Sequence, residues 1–152
     1  MPQLHEYPVA LEWEGGRDGH GTAVAENSAT TFNLAVPPEF QGAGEGTNPE
    51  ELLTTAISAC YTITFGIVAA NRKLPVESVD VTATGFVEQS GASFVYKSIT
   101  VRPVITLAAD ATDEQIALAQ DMAHKADSYC IVTNAVRGKV EVVIEPLVVR
   151  SS

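Results

Sequence analysis

Apolar and polar positions alternate in the first third of the chain, with Val9, Leu11 and Trp13 in one run and Phe32, Leu34 and Val36 in another. A period of two, with GGRDGHG at 15–21 between the runs, predicts strand, glycine-rich turn and strand across residues 8–37. The period then changes. Over residues 49–71 the apolar positions Leu52, Leu53, Ala56, Ile57, Cys60, Ile63, Ile67 and Val68 recur at three and four, which predicts a long, mostly buried helix. Asn48 is placed to cap it, Pro49 suits the first helical position, and Glu50 and Glu51 suit the positive end of its dipole. Leu74-Pro75 ends the pattern.

Strands are expected at 76–88 and 94–107, joined by a turn in QSGAS at 89–93. Pro103 falls inside the second of these and calls for a sheet edge or a bulge. TDEQ at 112–115 fits a capping box opening a second helix to about residue 128, striped by Ile116, Ala119, Met122, Ala123 and Ala126. A final strand is expected at 139–149. Three strands, helix, two strands, helix and strand make an α+β protein with mixed or antiparallel sheet rather than a parallel βαβ fold.

At 152 residues one domain over 1–152 is expected. Lys and Arg number 9 against 19 Asp and Glu, a net charge of −10 that speaks against nucleic acid and anionic membrane as partners. The first residues, MPQLHEYPVALEWEGG, lack the basic start and apolar run of a secretory signal, and Thr, Ser and Asn interrupt the most apolar helix. The expectation is a soluble, cytoplasmic protein. The glycines at 42, 44 and 46 precede a helix start, but Glu45, Glu50 and Glu51 repel anions and no lysine follows, so loop flexibility explains them.

Two cysteines are too few for a disulfide framework, and no CxxC or HExxH spacing offers metal ligands. His5, His20 and His124 share no metal-site spacing, and His124 lies six residues from Cys130, off the helical i, i+4 face. Cys60 on an apolar helix face reads by itself as a small hydrophobe. Cys130, where the second helix should end, is at a junction that could move a thiol into and out of contact. Trp13, in register with Leu11 and Val9, reads as core or dimer contact.

Four segments change the weight of these residues: GGRDG at 15–19, TNPEEL at 47–52, SAC at 58–60, and Cys130 followed by TNAVRG at 133–138. Their order and spacing resemble the OsmC/Ohr family of organic hydroperoxide reductases over nearly the whole chain. The resemblance implies an intertwined homodimer, with curved, mostly antiparallel sheets wrapped around long central helices. It implies reduction of alkyl or lipid hydroperoxides by Cys60, with Cys130 as resolving cysteine and Arg17 and Glu50 as the family's arginine and glutamate. No bound cofactor is implied; the reductant is an external dithiol, commonly a lipoyl group on a lipoylated protein. The family's organic-peroxide branch carries proline and an aromatic after the second cysteine, where this chain has Ile131 and Val132.

The residues themselves give these assignments a physical sense. A thiolate is the nucleophile, and an apolar helix face alone would keep Cys60 protonated. Arg17, permanently charged, can favour the thiolate, and Glu50 can hold its guanidinium through two parallel hydrogen bonds. Glu50 precedes Cys60 by ten residues, about 15 Å along a straight helix. A composite site is therefore expected, with the glutamate supplied by the partner chain. An apolar pocket beside Cys60 is expected to draw its lining from the helix at 52–65 and the Cys130 segment. Two rival readings remain open: a noncatalytic small-molecule-binding or redox-sensing stress protein on the same fold, and an acyl-thioester hydrolase.

Overall fold

The computed structural model describes every residue from Met1 to Ser152, and the chain forms two compact units, Met1–Leu52 and Leu53–Ser152. In the first unit, β1 (Val9–Glu14), β2 (His20–Ala25) and β3 (Thr30–Ala35) make an antiparallel meander in that order. Glu14 pairs with His20, so GGRDG forms the whole β1–β2 turn, closed by Gly19 N donating to Gly16 O at 3.0 Å. A side chain at Gly19 would run into the Glu14 carbonyl, which is why the turn closes on glycine.

After β3 a 3-10 turn, Pro38–Phe40, sends the chain back along the sheet, where Thr47 exchanges backbone hydrogen bonds with Asn33 and Ala35. That pairing delivers Asn48 to the start of α1 (Pro49–Asn71). The expected cap is present: Asn48 Oδ1 accepts from Glu51 N at 2.9 Å, and Glu51 Oε1 accepts in return from Asn48 Nδ2 and Thr47 Oγ1. At the far end Lys73 takes the left-handed conformation (φ 56°), and Leu74 N donates back to Ala69 O at 3.0 Å, a Schellman ending ahead of Pro75.

The second unit packs α1 against a long hairpin and a second helix. By length and composition α1 could cross a bilayer, yet Ile57, Tyr61, Phe65 and Ala69, four residues apart, form a buried stripe in a protein core. The rest of the helix is less buried than its apolar pattern predicts. Ile63 and Ile67 stand 64% and 57% exposed. Ser58 and Thr62 satisfy their hydroxyls on the carbonyls of Thr54 and Ser58, which admits polar residues to an apolar helix.

β4 (Val76–Ser90) and β5 (Ser93–Leu107) pair antiparallel through a turn at Gly91-Ala92. The inward residues of β5, Ile99, Val101, Pro103, Ile105 and Leu107, alternate strictly with outward ones. Pro103 is buried and unbulged; the register shifts lie at Val76/Ser78 and Phe86/Val87. The single strand expected at 139–149 is in fact two, β6 (Glu141–Ile144) and β7 (Leu147–Arg150), broken at Pro146. Both run parallel to β5, pairing with Ser98–Val101 and Val104–Leu107 respectively. Pro103, which has no amide donor, falls in the gap between them, and this replaces the expected edge or bulge. The sheet is thus mixed, and the fold is α+β as expected.

α2 (Asp113–Lys125) opens on the expected capping box, with Thr112 Oγ1 accepting from Gln115 N and Gln115 Oε1 accepting from Thr112 N. Thr112→Ala should therefore lower the unfolding free energy by about 1 kcal/mol in a urea titration. The α-helix stops short of residue 128. It tightens into a 3-10 turn at Ala126–Tyr129, where Ser128 Oγ donates to the Lys125 carbonyl. A short helix absent from the sequence reading, α3 (Ile131–Val136), follows, with Cys130 as its N-cap.

Candidate functional site

In the second unit the two cysteines, 70 positions apart in sequence, come together as free thiols. α1 carries Cys60 on the margin of its buried stripe, partly exposed and packed against the core. Cys130 is enclosed completely, at 0% exposure, in the bend between the 3-10 turn and α3. Its thiol donates to the Ala126 carbonyl, with Sγ at 3.4 Å, and lies close to Cys60.

The pKa of Cys130 rises from an ordinary 9.0 to about 11. Burial is the first cause; the hydroxyl of Thr64 opposes it, the charge and hydrogen bond of Cys60 reinforce it, and Thr133 opposes it weakly. Cys130 is thus held as a thiol at neutral pH, and Cys60 is the partner with access to solvent.

The bend that holds Cys130 is fixed from several sides. Tyr61, next to Cys60, donates through its buried hydroxyl to Ala123 O at 2.6 Å, tying α1 to the last turn of α2. Burial first, then the charges of Asp127 and Cys130, push its phenol well above the usual range, so it stays a donor. Arg137 donates to Asn134 Oδ1 and to the Asp127 carbonyl, and Asn134 donates to the Ser128 carbonyl. The TNAVRG segment thereby clamps the bend around Cys130. Tyr129 and Ile131 on either side of the buried sulfur are exposed.

The first unit holds the other two sequence-predicted residues. Arg17, exposed in the β1–β2 turn, donates from Nη1 to Gln41 Oε1 at 3.0 Å, with Gln41 itself in the left-handed conformation (φ 66°). None of the four ion pairs of the chain joins Arg17 to Glu50. Glu50 is half-buried in the first turn of α1 and, with Leu11, Trp13, Leu34, Val36 and Phe40, borders an apolar cavity of about 380 Å³. Its lining includes neither cysteine, so this is a different cavity from the pocket expected beside Cys60. The lining comes from the alternating Leu11/Trp13 and Leu34/Val36 positions, whose period of two marked them as one sheet face. Trp13 is a cavity wall here, its indole N–H held by the Gly15 carbonyl. His20 pairs with Glu14 on the hairpin surface and does not border the cavity.

Gln41, Tyr61, Thr64 and Thr133 were missed by sequence reasoning. Spacing could have signalled two of them: Thr64 lies one helical turn beyond Cys60, and Thr133 is the third residue after the capping Cys130. No group of three or more histidine, cysteine or acidic side chains is arranged to hold a metal ion.

With this geometry established, similarity to known proteins is informative. Residues 42–145 match the OsmC-like protein family model. The chain is 35% identical over 141 residues to the uncharacterized protein YmaD of Bacillus subtilis (strain 168), covering 93% of each chain. It is 33% identical over 145 residues to the organic hydroperoxide resistance protein of Xanthomonas axonopodis pv. citri, covering 94% of this chain and 96% of that one. Among solved structures, the organic hydroperoxide resistance protein OsmC of Legionella pneumophila superposes with a TM-score of 0.72 at 26% identity, over 97% of this chain and all of that one.

Proposed function

The chain belongs to the OsmC-like protein family, which includes organic hydroperoxide resistance proteins, and from that premise we propose that it is a cysteine-based peroxidase. Its substrates are alkyl or lipid hydroperoxides, reduced to alcohols, and its electrons come from an external dithiol such as a lipoyl group carried on another protein. The observation that carries this reading is the closely placed pair of free thiols, one partly exposed and one enclosed.

In the proposed cycle the Cys60 thiolate attacks the peroxide O–O bond. The alkoxide leaves, takes a proton and becomes the alcohol, and Cys60 is left as a sulfenic acid. Cys130 then attacks that sulfur; its proton and the departing hydroxide form water, and a Cys60–Cys130 disulfide results. Exchange with the dithiol returns both thiols. Capture by Cys130 competes with overoxidation of Cys60, and a resolving thiol already close by needs little motion to win.

Arg17 is assigned as the cation that favours the Cys60 thiolate and Glu50 as the carboxylate that orients it, with the glutamate contributed by the second copy of a homodimer. Two features support this assignment. Arg17 is held by a neutral amide rather than locked in an ion pair. Ile63 and Ile67 on α1, and Val9 and Leu11 on β1, leave apolar surface uncovered in one chain. A cytoplasmic location belongs to the same reading, because reducing compartments keep such thiols free.

The test is steady-state consumption of cumene hydroperoxide and of hydrogen peroxide with dihydrolipoamide. Multiple turnovers are expected, with kcat/KM at least about tenfold higher for the organic peroxide, since burial of an alkyl group contributes roughly 0.8 kcal/mol per methylene. Consumption of a single equivalent of peroxide per chain would instead identify a redox sensor.

A further inference from the structure

Thr133 has a hydroxyl that the reduced protein does not use. The residue is 1% exposed, and Oγ1 is enclosed with no well-formed hydrogen bond to any group. Such a group is costly to bury, and native structures rarely leave one without a reason. The usual remedy for a helical threonine is visible on α1, where Thr62 bonds the carbonyl four residues back. Thr133 is the third residue of α3, so the carbonyl four residues back lies outside its helix. Its position relative to Cys130 is that of N3 to N-cap, the spacing at which the two side chains meet. That spacing puts the hydroxyl near the sulfur, where it favours the thiolate, while no hydrogen bond to the thiol is formed.

We propose that the Thr133 hydroxyl is the hydrogen-bond donor that receives the Cys130 thiolate when the Cys60–Cys130 disulfide is opened. The inference rests on the disulfide step of the reading above. In that step a thiolate of the dithiol attacks the Cys60 sulfur, the more accessible of the two. The S–S bond breaks, its electron pair goes to the Cys130 sulfur, and a mixed disulfide forms on Cys60. Cys130 therefore leaves as an anion inside an apolar bend. The second thiol of the dithiol then releases Cys60, and the Cys130 thiolate takes up a proton from water.

The surroundings of Cys130 explain why a neutral donor matters. Cys60 and Tyr61 on α1 become negative on ionising, Asp127 on the 3-10 turn is already negative, and His124 and Lys125 at the end of α2 are exposed. Thr64 supplies one hydroxyl from α1. Thr133 supplies the other, free in the thiol state and filled in the thiolate state. A leaving thiol departs faster as its pKa falls, and a hydrogen bond to an anion shifts that pKa by about one unit or more.

The experiment compares wild type, Thr133→Val and Thr133→Ser. Each protein is oxidised with diamide, which takes two hydrogens from the thiol pair to form the disulfide and the hydrazine. Reduction by dithiothreitol is then followed in a single turnover between pH 6 and 9. Thr133→Val should be reduced about tenfold more slowly, Thr133→Ser within about twofold of wild type, and the thermal midpoint of reduced Thr133→Val should not fall, since it loses an unsatisfied hydroxyl. Equal rates for Thr133→Val and wild type would overturn the inference. So would a Thr133→Ser as slow as Thr133→Val, or failure of diamide to link Cys60 to Cys130. Because no peroxide is used, a slow Thr133→Val in a protein without peroxide turnover would uphold the inference and overturn only the peroxidase reading.

Discussion

Cys60→Ser should lower dithiol-driven reduction of cumene hydroperoxide by at least about a thousandfold, the scale on which loss of a nucleophile removes catalysis by residues that act as a unit. Serine keeps the size and polarity of the side chain, but its hydroxyl stays protonated at neutral pH and forms no sulfenic acid. The position is partly exposed on α1, so the change leaves no large cavity, and circular dichroism and the thermal midpoint should stay close to wild type. Thiol titration of the denatured chain should fall from two groups to one. Cys130→Ser should behave differently. Its first turnover should proceed, and activity should then decay with each peroxide addition, because Cys60 sulfenic acid without a resolving thiol goes on to irreversible forms. Full activity in Cys60→Ser would show that Cys60 is not the nucleophile.

Much of the scaffold around these thiols was legible because it depends on local rules. Asn48-Pro49 and Thr112-Gln115 announced the starts of α1 and α2, and a strand was expected over 94–107, where β5 lies. What was not legible depended on long-range partners. The buried stripe of α1 runs through Tyr61 and Phe65, and a polar hydroxyl disguised Tyr61 until Ala123 O supplied its acceptor. Pro103 called for an edge or a bulge in β5, because nothing local shows that two separate parallel strands flank it.

The site divides the same way. Motif resemblance singled out Cys60, Cys130, Arg17 and Glu50, and the structure brings the two cysteines close together across 70 positions of sequence. Arg17 meets Gln41 instead of Glu50, a pairing that no spacing rule foretells because Gln41 reaches it through a left-handed turn. Thr64 and Thr133 resemble ordinary helix threonines until Cys130 is placed between them.

The largest structural effect is expected from Phe65→Ala. Phe65 is wholly buried and lies one turn beyond Tyr61, with the two rings stacked at 16° and a centroid distance of 6.5 Å. Its removal takes away transfer energy and leaves a void that a core shared with β5 and α2 closes only in part, a loss of about 3–5 kcal/mol. For a chain of this size that is a fall of roughly 6–20 °C in the thermal midpoint. The damage should reach the thiols. With its neighbour gone, Tyr61 loses the packing that aims its hydroxyl at Ala123 O, and that bond anchors the last turn of α2 before the bend holding Cys130. Diamide-driven disulfide formation should therefore slow in Phe65→Ala even well below its unfolding temperature. Tyr61→Phe, which keeps the ring and removes only the hydroxyl, should slow the same step with a much smaller stability loss, about 1–3 kcal/mol for the acceptor left unpaired. Calorimetry on reduced protein and mass-resolved disulfide kinetics separate the two effects. A Phe65→Ala variant that unfolds at the wild-type temperature would show that this stripe of α1 is not the core. Unchanged disulfide kinetics in both variants would show that Cys130 is held by the clamp at Asn134 and Arg137 alone.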